Sequence, residues 1–408
     1  MRTTSRFMLA VLMGFAAAVV VAAQEVPPLS LQAAISIALE NRPVVQAAQC
    51  EVTAAAAAAR AARVLPNPLI VITPTLIGET GADQTLFMAQ PLETNGVKQA
   101  RSRIAAGKMR VAMAGAVVTR RDVVRNVKTA YWSAVQACAL QAFDADNVQL
   151  TETLVKAAER QVELGNAPAA QAMKAEMELA RMRQQLVRAK AAVSQADATL
   201  NTVMGRPPAT PLNLSDALTF TPLALQEDLL LKCGLAQRPE MAQAGAGIDV
   251  AHSEVEMART LRRPDLALQF IQGDEFGSGG VGLAITIPLI DWGYAKAERA
   301  RAEANVCVAE KRLEETRNAV RLDISLALIS ARSAEAQVRE YREQILTPAE
   351  KLSQMALLGY QEGATSYLEV LEARRTLRAV NTEYLTALGD YQKALAQLEW
   401  AAGVDALP

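Results

Sequence analysis

Two rhythms of apolar and polar positions organise this chain. Val281, Leu283, Ile285, Ile287 and Leu289 alternate with Gly282, Ala284 and Thr286, which predicts a strand with one apolar face. Leu377, Val380, Tyr384, Leu388, Tyr391, Leu395 and Leu398 instead recur three and four apart, as the packing seam of a coiled coil requires. Lys98 to Val162 contains no Pro and only Gly107 and Gly115, so it predicts one helix of roughly 100 Å. Its return partner, Pro168 to Met204, predicts a helix of only about 55 Å. The helix from Pro43, well placed at a first helical position, to Leu65 supplies the missing length, roughly 35 Å. Two shorter helices stacked end to end are therefore expected along one long helix.

The same order then repeats. Arg42-Pro43 returns as Arg238-Pro239, and Pro91-Leu-Glu-Thr-Asn-Gly96 as Pro288-Leu-Ile-Asp-Trp-Gly293; Gly165, Ala175 and Gly205 return as Gly363, Ala373 and Gly403. So long a period, far beyond the roughly 20 to 50 residues of a solenoid, marks a duplicated domain. Repeat 1 spans 24–205 and repeat 2 spans 225–403, with a linker over 206–224 and a short tail over 404–408. Each repeat has the order short helix, helix, strand, loop, strand, very long helix, tight turn, helix. The strands are expected at 69–77, 85–92, 265–272 and 281–290, and the turns near 163–168 and 361–366. In repeat 2 the long segment Lys296–Tyr360 contains Pro348, where a kink is expected. Helices dominate, with a small β portion.

The first residues are a processing signal: Arg2 and Arg6, the apolar run Phe7–Val21, then Val21-Ala22-Ala23. They predict export of the chain after cleavage near residue 23. The run is shorter than the roughly 20 residues that span a bilayer. No Cys follows the cleavage site, so a lipid anchor is not expected. Aromatics are 4% and the net charge is −1; nothing here suggests nucleic acid, and the Ala-rich remainder suits helices packed through small side chains. Cys50, Cys138, Cys233 and Cys307 form no metal pattern and are expected as buried small residues; a Cys50–Cys307 bridge stays open. The single His, His252, and the lack of a nucleophile beside a base argue against catalysis. No cofactor or metal site is expected.

Four strands of about nine residues have the length of tilted transmembrane strands yet cannot close a barrel, which needs about eight. An open sheet edge is excluded from lipid, so other copies must complete the sheet. Three copies give twelve strands and twelve helical columns. Two hairpins capping a soluble periplasmic coiled-coil scaffold is the competing reading.

The duplicated order, the export signal and the turn motif aromatic-x-x-Gly with Ala ten residues on resemble the TolC family of outer-membrane efflux ducts. Tyr360-Gln-Glu-Gly363 with Ala373 carries that motif in full, whereas the first turn has Val162 in place of the aromatic. Leu65-Pro-Asn-Pro68 and the segment Pro91–Arg101 are most similar to the branch serving heavy-metal cation pumps, that of CzcC and CusC. The resemblance implies a homotrimer in outer-membrane lipid, with a periplasmic α-helical tunnel closed at its inner tip. It also implies a periplasmic adaptor and an inner-membrane pump of the RND type as partners. A type I secretion or drug-efflux duct shares the fold.

By the same resemblance, Glu369 and Glu372 stand where relatives carry the acidic ring that narrows the closed tip. Tyr360 and Thr365 belong to that gate, with Gln171 and Lys174 at the matching repeat-1 positions. Thr365 occupies a position where some relatives have a basic latch. Glu369 also completes the capping box Ser366-Tyr-Leu-Glu369, and Glu372 favours the helix dipole. Leu164-Gly165-Asn166 and Glu362-Gly363-Ala364 are the turns that relatives present to the adaptor. Trp292 and Tyr294 suit an interfacial aromatic girdle, with core packing as the alternative.

Overall fold

The computed structural model describes residues 27–73, 85–165, 167–223, 226–272, 279–362 and 364–406. The export signal, the end of the first expected strand (74–77), Asn166 and Gly363 lie outside them. Helix α1 (Leu31–Asn41) starts where the Ser30 hydroxyl accepts the Ala33 N–H at 3.3 Å, satisfying one of the free donors of the first turn. Helix α2 (Pro43–Ala61) opens on its proline. Strands β1 (Leu69–Thr73) and β2 (Thr85–Pro91) follow, then α3 (Val97–Glu163) and α4 (Ala169–Val203). Repeat 2 consists of α5 (Glu227–Gln237), α6 (Pro239–Thr260), β3 (Asp265–Gln272), β4 (Gly279–Thr286), α7 (Tyr294–Glu340), α8 (Thr347–Gln361) and α9 (Tyr367–Ala402).

The end-to-end stacking expected from helix lengths is present in both repeats. Helices α2 and α4 lie along α3, and α6 and α9 along α7. Gly205, at the end of α4, sits so close to the start of α2 that a Cβ would meet the Asn41 carbonyl at 3.1 Å. Its φ of +75° is the left-handed conformation that glycine adopts without steric cost. Gly403 closes α9 in the same way beside Gln237 and Arg238 at the start of α6.

The last strand ends at Thr286 rather than Ile290, because Pro288 has no N–H to give to a ladder. Ahead of Pro348 the long helix is interrupted by a π-helical turn, Tyr341–Leu346, between α7 and α8. A proline ring clashes with the carbonyl four residues earlier, and a wider turn just before it makes room.

The core is a set of seams along the helices. Val380, Leu388, Tyr391 and Leu398 of the predicted α9 seam are buried, and Tyr384 and Leu395 pack on the cluster formed around Leu388 and Tyr391. Alanines such as Ala134, Ala158, Ala331 and Ala401 fill the close approaches. The linker is a strap across both repeats. Leu214 pairs with Leu29 in a parallel bridge, and Asp216 Oδ2 lies 2.8 Å from the hydroxyl of fully buried Tyr131. Further on, Phe220 packs on the Tyr391 ring at 5.4 Å between centroids, and the Tyr391 hydroxyl donates to the Thr221 carbonyl. The cysteines depart from the expected burial. All four are free thiols, with Cys50 and Cys307 exposed.

Candidate functional site

The sheet shows what its register makes of the sequence pattern. The four strands form one antiparallel sheet in the order β1-β2-β3-β4, with β1 and β4 at its edges. Ile70, Met88, Phe270 and Val281 stand in one cross-strand row. Since side chains alternate between faces, that row shares a face with Leu268, Leu283, Leu266 and Ile285. The opposite face carries Leu69, Ala89, Gln269 and Gly282 in one row, and Asp265 and Thr286 in another. One face is therefore apolar over most of its length and the other mostly small or polar. Leu283 is 57% and Ile285 61% exposed; in water each would forfeit the free energy of burial, roughly 25 cal/mol per Å². Leu69, Val71, Phe87 and Ile271 are apolar members of the second face.

At the strand-to-helix junction Trp292 is 94% exposed and Tyr294 also projects outward. Packing of Trp292 in the protomer core is thereby excluded. Asp291 builds this turn: its carboxylate accepts the N–H of Gly293 at 3.1 Å and of Ala295 at 3.3 Å, and Arg262 Nε donates to it at 3.2 Å. No helix among the described residues is long and apolar enough to cross a membrane.

At the other end of the molecule the two helical hairpins meet. The Gln171 side-chain amide donates to the Tyr360 hydroxyl, so two of the expected gate residues, one from each repeat, are joined. The Tyr360 ring packs edge-on against Tyr367 at 5.9 Å. Thr365 does not reach across; its hydroxyl donates to the Ala356 carbonyl at 3.0 Å, folding the turn back onto α8. Ala364 and Thr365 both donate backbone N–H groups to the Gly359 carbonyl. A Cβ at Gly359 would lie 2.8 Å from Thr365 Cγ2. Gly359 was not singled out by the sequence because its φ is ordinary and only the folded turn makes it necessary.

Gly165 turns with φ +74°, and Leu164, Glu362 and Ala364 are exposed. Glu369, Glu372 and Lys174 are exposed as well. Ser366 Oγ accepts the Glu369 N–H at 3.3 Å, which is the first half of the expected capping box. Above this layer Glu178 of α4 pairs with Arg375 of α9, a contact between repeats with no local signature. Among the described residues no group of three or more His, Cys, Asp or Glu could hold a metal ion.

Residues 34–206 and 230–404 match the family model described as outer membrane efflux protein. The chain belongs to that family. It is an outer-membrane channel protein with a large periplasmic helical portion, and the family is one of transport proteins rather than enzymes. Among its relatives is the cobalt-zinc-cadmium resistance protein CzcC of Cupriavidus metallidurans, 26% identical over 386 residues, covering 92% of this chain and 90% of the relative. The pyoverdine export outer membrane protein OpmQ of Pseudomonas aeruginosa is 25% identical over 327 residues, covering 76% of this chain and 66% of its own length. The crystal structure of the outer membrane protein VceC of Vibrio cholerae superposes with a TM-score of 0.76 at 20% identity, covering 92% of this chain and 96% of that one.

Proposed function

We propose that three copies of this efflux protein close a twelve-stranded barrel in the outer membrane and continue into a periplasmic tube of twelve helical columns. The observation that carries this is the four-stranded sheet with an apolar face and two unpaired edges. Unpaired backbone groups in hydrocarbon cost several kcal/mol each, and pairing β4 of one copy with β1 of the next removes both edges. The apolar face then meets lipid and the small, polar face lines the lumen. Trp292 and Tyr294 fall at the periplasmic rim of the barrel, where an aromatic girdle belongs.

The helical tip works as the gate. Gln171 and Tyr360 hold the two hairpins of a protomer together, and Glu369 and Glu372, from three copies, place six carboxylates near the axis as a cation-attracting ring. Leu164 to Asn166 and Glu362 to Ala364 present the turns to a periplasmic adaptor, which joins the duct to an inner-membrane pump of the RND type. The cargo is heavy-metal cations, supported by the near full-length similarity to a cobalt-zinc-cadmium resistance protein. Selectivity then resides in the pump, since a duct only conducts.

The test is deletion of the gene with complementation. Sensitivity to cobalt, zinc or cadmium should rise on deletion and be restored by the wild-type gene. Unchanged metal tolerance, with loss of secretion of a protein or siderophore instead, would contradict the metal assignment.

A further inference from the structure

Cys50 and Cys307 are the two cysteines that the protomer leaves exposed. Near the sheet the helices of one copy stand side by side in the order α2, α3, α6 and α7, so α2 and α7 form its two edges. Cys50 lies on α2 and Cys307 on α7, at opposite edges of the copy. Each also faces away from the neighbouring helix of that copy. The side of α2 turned to α3 carries Ala48, Val52, Ala55 and Ala59, and Ala302 and Val306 of α7 pack on Val255 and Ala258 of α6.

The contact between α3 and α6 shows how two such edges meet, because α3 is the counterpart of α7 and α6 the counterpart of α2. A Cβ at Gly107 of α3 would meet Val250 Cγ2 of α6 at 2.6 Å, and one at Gly115 would meet Gln243 Nε2 at 3.2 Å. Between those points Arg110 donates to Asp249 at 2.8 Å. Ala246, spaced three and four residues from Gln243 and Val250, is buried on the same face of α6. Arg110 and Ala246 therefore stand at nearly the same height, on the same side of this seam.

Helix α2 returns in α6 at the spacing of Pro43 to Pro239, and α3 returns in α7 at the spacing of Gly96 to Gly293. Cys50 is thus the counterpart of Ala246, and Cys307 that of Arg110. When β4 of one copy pairs with β1 of the next, α7 meets the next copy's α2 as α3 meets α6. Ala304 and Ala54 then take the places of Gly107 and Val250, so the approach stays close. Packed helix axes lie about 8–10 Å apart with each Cα about 2.3 Å from its axis, which brings facing Cα atoms to roughly 4–7 Å. A disulfide spans about 4.4–6.8 Å between Cα atoms.

We propose that Cys307 of each copy forms a disulfide with Cys50 of the next, so that three bonds fasten the ring of helices below the barrel. The proposal rests on the trimeric reading of the sheet. Export takes the chain to a compartment where disulfides form and persist, and the oxidant is a thiol-disulfide oxidoreductase in its disulfide form. One cysteine thiolate attacks a sulfur of that disulfide, breaking it and releasing the oxidant's other sulfur as a thiolate. The second cysteine thiolate attacks the resulting mixed disulfide, forming the bond between copies. The oxidant leaves as a dithiol, carrying the two electrons and the two protons. Cys138 is no competitor, since burial and nearby Asp197 push its thiol up and a buried thiol of that kind is inert.

The test blocks free thiols with N-ethylmaleimide in cells making the full-length protein, then runs heated outer membranes on denaturing gels without reductant. Covalent two-copy and three-copy bands are expected, collapsing to one copy with dithiothreitol. Cys50→Ala and Cys307→Ala should each abolish these bands, whereas Cys138→Ala/Cys233→Ala should keep them. Co-expressing the Cys50→Ala and Cys307→Ala chains should restore a two-copy band and no three-copy band, because a mixed ring has one complete pair. A single-copy band alone in the parent, or a ladder that survives Cys50→Ala, would overturn the bond. Native mass of the unheated particles in mild detergent tests the underlying reading separately, with three copies expected for the parent and for each variant. Three copies with every thiol alkylated sinks only the bond, and a single copy sinks the trimer as well.

Discussion

Gln171 and Tyr360 stand 189 residues apart in the chain and share one hydrogen bond at the helical tip. Each comes from a different copy of the duplicated unit, so the bond reports directly on whether the two hairpins are together. A hydrogen bond of this kind contributes about 1 kcal/mol net, enough to shift a two-state tip several-fold. Tyr360→Phe keeps the ring packed on Tyr367 and removes only the hydroxyl. It should raise single-channel open probability several-fold in planar bilayers, with trimer yield unchanged.

The register makes a sharp prediction within one strand. Leu283 lies on the apolar face and Ala284, its neighbour, on the other. Leu283→Arg should cost about 2–4 kcal/mol per copy if it meets lipid at mid-depth, lowering the trimer recovered from outer membranes. Ala284→Arg should assemble and alter conductance instead. Equal yields for the two variants would count against the assignment of faces.

Arg238 is nearly buried and donates to both Glu240 and Asp323 while lying 4.5 Å over the Trp400 ring. Burial alone would raise the Glu240 carboxyl, but the Arg238 guanidinium outweighs it and holds the group below the usual carboxylate range. A depressed folded value means that the stabilisation is full above the unfolded value, about 4.3, and is lost as pH falls through the folded one. Thermal unfolding should therefore show a drop in stability below about pH 4 that Glu240→Gln flattens. At neutral pH the same variant should be less stable by about 2 kcal/mol.

Glu369 and Glu372 are exposed on the protomer, as a pore-facing ring requires. Reversal-potential measurements in a salt gradient should show cation preference in the parent and a marked loss of it in Glu369→Gln/Glu372→Gln. Unchanged selectivity would leave Glu369 as the partner of the Ser366 cap and Glu372 as a solvated charge.

Much of this architecture is written in local patterns. Helix lengths alone implied that α2 and α4 share one side of α3, and the contacts of Gly205 and Gly403 with the starts of α2 and α6 are that arithmetic in three dimensions. The alternation through Val281, Leu283 and Ile285 correctly grouped one face of β4. It ran too far because the apolar spacing continues past Thr286 while Pro288 ends the ladder. Pro348 marks a disruption of the long helix in the sequence, but not the π turn over Tyr341–Leu346 by which the backbone makes room for it. Gate chemistry was least legible. Gln171 and Thr365 were both expected at the tip, but only packing decides that Gln171 reaches across and Thr365 folds back onto α8. Glu178 and Arg375 sit 197 residues apart on different helices, and no periodicity within either helix pairs them.

Two further copies of the chain must close the open sheet in the membrane. The most direct test is the mass of the detergent-solubilised particle extracted from outer membranes, measured by native mass spectrometry. Three copies of the mature chain are expected, converted to one copy on heating in detergent with reductant. A stable single copy, or a particle that fractionates with the soluble periplasm, would contradict it.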